Sequence, residues 1–384
     1  MRKISIFGFT GSIGTQALEL LDVASEFEPH IFVCNKSVDR AEKVLDKFQP
    51  KYIFFEDKDA SNLFNSKKYP NVELIRNKQT LVDIIETDPS DIFLSAISSY
   101  EMMDITYLIA KSGKKVLLAN KESLVVFGNN LMKEIDKHKT EIIPIDSEHY
   151  SIYHSLKNTS LDEIKKVFLM ASGGPFFGSS ISEIKNKSVE EALNHPNWEM
   201  GNKITIDSAT LVNKCLEIVE AHYLFNLPFN KIKILIHPEA IVHSAVELNN
   251  FVTHMNLFKN DMKIPIYNFL LNSKIKVNNY NNKLLIKKYS SFNFQDVKND
   301  IFPIYKFFNN IDKDKPQNLI KFNIGNEFAV NLFKNKTIKY TDIYKIIKKV
   351  TSLNLYSSVK TIKDVINYHE QIERKLQDIK IFYN

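Results

Sequence analysis

The chain has 384 residues and a mass of 44.5 kDa, is 44% hydrophobic and 25% charged, and is long enough for two or three globular domains. It has no apolar run long enough for a transmembrane helix and no signal-peptide pattern, and its two cysteines, Cys34 and Cys215, leave no disulfide framework or zinc cluster and suit a reducing cytoplasm. The net charge of +6 does not mark a nucleic-acid binder, because the lysines are dispersed among Asn, Ile, Phe and Tyr and no zinc-finger, RNP or homeodomain pattern accompanies them.

In chain order, ISIFGF (4–9) predicts a buried strand and TQALELLDVASEF (15–27) an amphipathic helix. HIFVCN (30–35) and VDRAEKVLDKF (38–48) repeat that pair, and KYIFFE (51–56), DIFLSAI (91–97) and KKVLLAN (114–120) continue the strands. Such alternation specifies a parallel sheet with helices on both faces. After about residue 150, VFLMASGG (167–174), IKILIHPEAIVHSAVEL (232–248) and NNFVTHMNLF (249–258) predict strands of a second, α+β region. Residues 275–315 are polar and Asn/Lys-rich, which predicts loops or a linker, and the last 70 or so residues read as helices.

Only 10 glycines occur, where about 7% is usual, so their clustering is informative. Gly8, Gly11 and Gly14 fall in ISIFGFTGSIG (4–14), a strand, a tight turn and a helix starting near Thr15, the geometry that holds a pyrophosphate on backbone N–H groups. A lone glycine motif is as often a structural turn; its place after the first strand favours a dinucleotide. At the end of the second strand, Cys34-Asn35-Lys36-Ser37 with Arg40 behind it offers no acid before Asp39, which favours NADP(H) over NAD, unless Lys36 and Arg40 are surface charges.

Asp146 and Glu148, in IIPIDSEHY (142–150), would project to one side of an extended segment. Two carboxylates on one face repel unless a proton or cation lies between them, and oxygen donors suit Mg²⁺ or Mn²⁺. An isolated D-x-E is more often two solvated acids. A third acid, Glu217, lies in NKITIDSATLVNKCLEIVEAHYLF (202–225), where Ser208 is placed to cap a helix and Asn213, Lys214 and Glu217 share a helix face. ASGGPF (171–176) suggests an anion nest, and Trp198 in HPNWEMG (195–201) is either a lid or a core anchor.

Taken together and in order, GFTGSIG, LLANKESLV (117–125), IDSEHYSIY (145–153), ASGGPF, HPNWEMGNKITIDSATLVNKCLE and IHPEAIVHS resemble the 1-deoxy-D-xylulose 5-phosphate reductoisomerase family, with weaker matches at NIGNEFAV (323–330) and TIKYTDIYKII (337–347) extending it across nearly the whole chain. The resemblance implies NADPH-dependent conversion of 1-deoxy-D-xylulose 5-phosphate to 2-C-methyl-D-erythritol 4-phosphate with a divalent cation, the committed step of the non-mevalonate isoprenoid route. It implies metal ligands at Asp146, Glu148 and Glu217, catalytic roles for Lys121, Glu148 and His195, and substrate contacts from Lys121, Ser147, Glu148, Ser172, His195, Ser208, Asn213, Lys214 and Glu217. Cofactor contacts would come from Thr10, Gly11, Ser12, Ile13, Lys36, Asn120, Glu122 and Gly201, and a closing flap from Trp198 and Met200.

The implied architecture is α/β: a Rossmann-like parallel-sheet domain over 1–149, a central α+β catalytic domain over 150–275, a linker over 276–311 and a small C-terminal helical domain over 312–384. A cytoplasmic homodimer with a sugar phosphate substrate, and without nucleic-acid or membrane partners, is expected. Departures from the family pattern are Phe9 for a small residue, Cys34-Asn35-Lys36-Ser37 for a glycine-containing turn, AISSYEMM (96–103) without glycine, and Cys215 for glycine. They concentrate in the cofactor region. The alternatives are a related NADP-dependent, metal-assisted oxidoreductase for another sugar phosphate, or a non-catalytic binder, which would have lost one of the acids or Lys121.

Overall fold

The computed structural model describes residues 1–24, 26–97, 102–198, 200–270, 288–355 and 357–380. Its chain divides into two compact units, one built from Met1–Ser123, Leu131–Tyr150 and Asp261–Asn282, the other from Leu124–Asn130, Ser151–Asn260 and Lys283–Asn384.

In the first unit strands and helices alternate: β1 (Arg2–Phe7), α1 (Ser12–Leu21), β2 (Phe27–Cys34), α2 (Val38–Leu45), β3 (Tyr52–Phe55), α3 (Lys58–Leu63), β4 (Glu73–Ile75), α4 (Lys78–Thr87), β5 (Ile92–Ser95), α5 (Met103–Ala110), β6 (Lys115–Leu118), the two ends of α6 (Lys121–His138), β7 (Glu141–Pro144) and the start of α7 (Ser147–Leu156). The strands form a seven-stranded sheet in the order β4-β3-β2-β1-β5-β6-β7, every pair parallel. Helices on both faces exclude water from the sheet, so its central strands are continuous apolar runs; Ile4 and Ile6 of β1 and Ile31, Phe32 and Val33 of β2 are fully buried. The hydroxyl of buried Ser5 is satisfied by Ser90 Oγ at 2.6 Å and by the Ile31 N–H at 3.1 Å. Strand order reverses beside β1, which places the glycine loop at the switch point where such sheets bind ligands.

The second unit contains β8 (Ile164–Ala171), α8 (Ile181–Ile184), α9 (Val189–Leu193), α10 (Asn202–Thr210), α11 (Val212–Phe225), β9 (Ile232–Ile236), β10 (Val242–Leu248) and β11 (Thr253–Leu257). After α12 (Lys263–Leu270), which packs on α1 in the first unit with an ion pair from Lys263 to Glu19, the second unit resumes with β12 (Gln295–Asp296), α13 (Pro303–Asn310), α14 (Pro316–Lys334), α15 (Tyr340–Thr351) and α16 (Ile362–Lys380). Its sheet runs β11-β10-β8-β9-β12, with β8–β9 parallel and the other pairs antiparallel. The stretch 232–248 is two strands, because Pro238 cannot donate to a ladder and Ala240 turns the chain at φ 53°.

Part of the segment read as a linker lies outside the described residues; the rest carries β12 and α13. Pro303 opens α13 at the position where its missing N–H costs nothing, and Ile304, Tyr305 and Phe308 bury one face. Flanking Asn and Asp residues mask that short apolar period in the sequence. Half of the AISSYEMM departure, residues 98–101, lies outside the described residues.

Candidate active site

In the first unit, β1 ends at Phe7 and α1 begins at Ser12, three residues before the expected Thr15. Gly8 has φ 94°, and a Cβ there would lie 2.6 Å from the Ala96 carbonyl of the loop after β5. A Cβ at Gly14 would overlap the Gly8 carbonyl, so the first turn of α1 folds back directly onto the loop. Gly11 occupies the N-cap without a side-chain cap, which leaves the N–H groups of Ser12, Ile13 and Gly14 to an anion. Phe9 does not fill this loop: it is fully buried and stacks on Phe32 of β2 with ring centroids 5.1 Å apart. Beyond β2, Lys36 and Arg40 are exposed. Asn120 spends its side chain on structure, accepting the Ser123 N–H at 3.1 Å as the cap of α6 and donating to the Ile97 carbonyl, while Glu122 is half-buried in the first turn of α6.

Asp146 and Glu148 do not sit in an extended segment as the spacing suggested. β7 ends at Pro144, Asp146 is a bend, and Ser147 and Glu148 open α7, since the Asp146 carbonyl accepts the Tyr150 N–H at 2.8 Å. Lys121, 4% exposed at the start of α6, reaches across to Asp146 Oδ2 at 2.5 Å. Ser147 Oγ donates to Glu148 Oε2 at 2.6 Å. His149, fully buried, brings Nδ1 to 3.8 Å from Asp146 Oδ1; the D-x-E pattern gave no reason to single it out. Lys121, Asp146, Ser147 and Glu148 are therefore one polar cluster. All its carboxylate donors are hard oxygens, which fits Mg²⁺ or Mn²⁺.

In the second unit, Ser208 is not the N-cap expected of it. α10 begins after Gly201 and carries Asp207 and Ser208 in its last turns; Leu211, at φ 68°, then breaks the helix before α11. The break aims Ser208 at His195, whose Nε2 lies 3.2 Å from Ser208 Oγ and 3.3 Å from Ser172 Oγ. His195 Nδ1 accepts the backbone N–H groups of Asn197 and Trp198, both at 3.1 Å. A nitrogen that accepts twice carries no proton, so the neutral ring is protonated at Nε2, which donates toward the two serines. Burial first, and the Lys214 charge second, push the His195 pKa down to about 4 and keep the ring neutral at pH 7.

Gly173 and Gly174, with φ 88° and 66°, turn the chain after β8, and the Gly174 N–H donates to Ser172 Oγ at 3.2 Å. On α11, Glu217 is 1% exposed and both its oxygens are engaged: Asn213 Nδ2 at 2.5 Å and Lys214 Nζ at 2.8 Å. The helix-face reading of these three residues holds. Trp198 is half-buried and meets the ring of His243 edge-on at 6.2 Å, while His243 stacks on Phe258 at 3.9 Å; the sequence singled out neither ring as a partner of Trp198. Gly201 is the N-cap of α10, in the second unit, away in sequence from the other cofactor candidates.

Three family descriptions match the chain: 1-deoxy-D-xylulose 5-phosphate reductoisomerase over residues 4–128, the C-terminal domain of that reductoisomerase over 142–225, and the DXP reductoisomerase C-terminal domain over 257–375. Among curated relatives, the 1-deoxy-D-xylulose 5-phosphate reductoisomerase of Clostridium kluyveri is 37% identical, over 98% of this chain and 99% of its own, and that of Pelagibacter ubique is 34% identical, over 99% and 100%. Among solved structures, a DOX-P reductoisomerase in complex with NADPH, fosmidomycin and magnesium superposes with TM-score 0.90 at 32% identity, over 99% of this chain and 98% of that one. The Zymomonas mobilis reductoisomerase in complex with NADPH gives 0.87 at 27% identity, over 98% of each.

Proposed function

Because the chain belongs to the 1-deoxy-D-xylulose 5-phosphate reductoisomerase family, we infer that it catalyses the NADPH-dependent conversion of 1-deoxy-D-xylulose 5-phosphate to 2-C-methyl-D-erythritol 4-phosphate with a divalent cation. The observation that carries the residue assignment is the neutral His195, its protonated Nε2 shared by Ser172 and Ser208.

The resemblance assigns the cation to Asp146, Glu148 and Glu217, which would be its ligands. Each is a carboxylate with a lysine, a serine or an amide at hydrogen-bond distance, and buried carboxylates of this kind persist only where positive charge compensates them. When bound, the cation supplies Lewis-acid polarisation of the substrate's carbonyl and hydroxyl oxygens, and NADPH supplies the reducing equivalent.

The chain's own residues do the rest. Ser172, Ser208, Asn213 and Lys214 bind the phosphate end. His195 Nε2 donates there too, and its Nδ1, held by the Asn197 and Trp198 N–H groups, ties that contact to the flap segment, so closing over the phosphate excludes water from the reacting carbons. Lys121 Nζ places positive charge beside Asp146 where oxyanion character develops, with Ser147 and Glu148 orienting the same oxygens. Thr10, Gly11, Ser12 and Ile13 would hold the dinucleotide pyrophosphate and Lys36 the 2′-phosphate; the resemblance adds Asn120, Glu122 and Gly201 to the cofactor contacts.

The test is loss of NADPH absorbance with 1-deoxy-D-xylulose 5-phosphate and Mg²⁺ or Mn²⁺. Turnover should stop with EDTA and fall by about 100-fold or more in Glu217→Gln, the loss expected when an anionic ligand of a catalytic cation is removed. A Glu217→Gln protein with wild-type metal dependence would remove Glu217 from the ligand set. The family resemblance also supports a homodimer in the cytoplasm; light scattering should return twice 44.5 kDa.

A further inference from the structure

Ser208 and Ser172 lie on separate segments, and nothing in either segment alone sets the gap between them. Two side chains from the C-terminal helices meet at this point. Tyr340, the first residue of α15, is 7% exposed and donates its hydroxyl to the Ala209 carbonyl at 2.6 Å. Asn326, fully buried in the middle of α14, donates Nδ2 to Asp207 Oδ1 at 2.8 Å, and Asp207 Oδ2 accepts Lys203 at 2.9 Å. The bonded residues are the immediate neighbours of Ser208 on both sides. Ala209 lies in the last turn of α10, where carbonyls have no partner within the helix, so the Tyr340 hydroxyl satisfies a group that the Leu211 break would otherwise orphan. The Tyr340 ring also packs edge-on against Phe176, at 4.9 Å, in the turn that follows Ser172. On the other side, a Cβ at Gly174 would lie 3.0 Å from the Ser208 carbonyl, so the Ser172 turn and α10 are already in contact.

We propose that Tyr340 and Asn326 are positioning residues for the substrate phosphate: the C-terminal helices brace the α10 turn that carries Ser208 against the turn that carries Ser172, and so set the spacing of the two hydroxyls around His195 Nε2. The inference rests on the reading of Ser172, Ser208 and His195 as the phosphate site. It gives the C-terminal helices a catalytic consequence that acts through α10 and the turn after β8.

The experiment compares kcat/KM for 1-deoxy-D-xylulose 5-phosphate with kcat/KM for unphosphorylated 1-deoxy-D-xylulose, together with the inhibition constant of inorganic phosphate. Tyr340→Phe keeps the ring and removes the hydroxyl; Asn326→Leu keeps the volume and removes the donor. Each should lower kcat/KM for the phosphorylated substrate about tenfold through KM, and weaken inhibition by phosphate in step, while the unphosphorylated substrate is unaffected. Tyr368→Phe, which loses a part-buried bond from a buried ring to the Leu355 carbonyl at 3.2 Å in the C-terminal helices, controls for general destabilisation and should leave the ratio of the two constants unchanged. If Tyr340→Phe and Asn326→Leu change both substrates equally, or change neither, the brace has no role in phosphate binding. Ser208→Ala separates the two layers: should it keep the full preference for the phosphorylated substrate, the phosphate site itself is misassigned and the brace falls with it. Should it lose that preference while Tyr340→Phe keeps it, only the brace is overturned.

Discussion

His195 shows how one side chain acquires its chemistry from its surroundings. As a sequence element it is a histidine before a proline, able to act as acid, base, ligand or filler. Two backbone N–H groups on Nδ1 and two hydroxyls near Nε2 make it a neutral donor, and burial holds its pKa at about 4. The kcat/KM profile between about pH 5.5 and 8 should therefore show no inflection from this ring, and His195→Asn, which lowers the rate, should leave the shape of the profile unchanged. The same reasoning disposes of the two thiols. Burial pushes Cys34 up to about 12 and Cys215 higher still, so neither is thiolate at neutral pH. A thiol reagent should label both only as fast as the protein unfolds; rapid labelling of the native protein would contradict the buried placement of Cys34 at the end of β2.

At the scale of elements, helix ends carry most of the function. α1 begins inside the glycine loop, α6 begins at Lys121, α7 begins at Ser147, and α10 ends just after Ser208. Two left-handed residues show how differently such ends are maintained. Lys139, the C-cap of α6, has φ 55° and is exposed, so Lys139→Gly should relieve the strain and raise stability by about 0.5–1 kcal/mol in urea unfolding. Leu211, at φ 68° between α10 and α11, is 1% exposed. Leu211→Gly should destabilise despite relieving strain, because the lost burial, about 2–5 kcal/mol, exceeds a strain of about 1–2 kcal/mol. Stabilisation by Leu211→Gly would mean that the break is not held by packing.

At the scale of the whole molecule, His30, His154, His195 and His369, among the described residues, are held below the ordinary value of 6.5, in each case with burial as the largest cause. For His369 the value falls to about 4, and the Glu373 carboxylate 3.8 Å away does not offset its burial. Such groups stay neutral to a lower pH in the native state than in the unfolded chain, which takes up protons below about pH 6.5. The unfolded state then binds more protons, and stability falls as pH drops from about 6.5 toward 4. Asp88, held low first by the hydrogen bond from Lys3, adds a loss of its own at still lower pH. The urea midpoint should be lower at pH 5 than at pH 7.5; equal midpoints would mean that these imidazoles protonate in the folded protein.

What the sequence determined by itself was whatever depends on short-range order. Apolar runs of strand length alternating with helical periods specified the parallel sheet, and the spacing of Gly8, Gly11 and Gly14 specified a strand–turn–helix. The spacing of Asn213, Lys214 and Glu217 put three polar groups on one helix face, because hydrogen-bonded backbone has a fixed repeat. Tertiary structure decided where each helix stops and what lies behind it. Ser208 reads as a cap from its neighbours, yet Gly201 starts α10 earlier and the burial of Leu211 ends it later. Phe9 reads as an intrusion into the cofactor loop, yet β2 offers Phe32 for it to stack on. Asn326 and Tyr340 stand 119 and 131 residues from the groups they bind. Contacts of that kind leave no period in the sequence, since their free energy is gained only when distant segments are packed together.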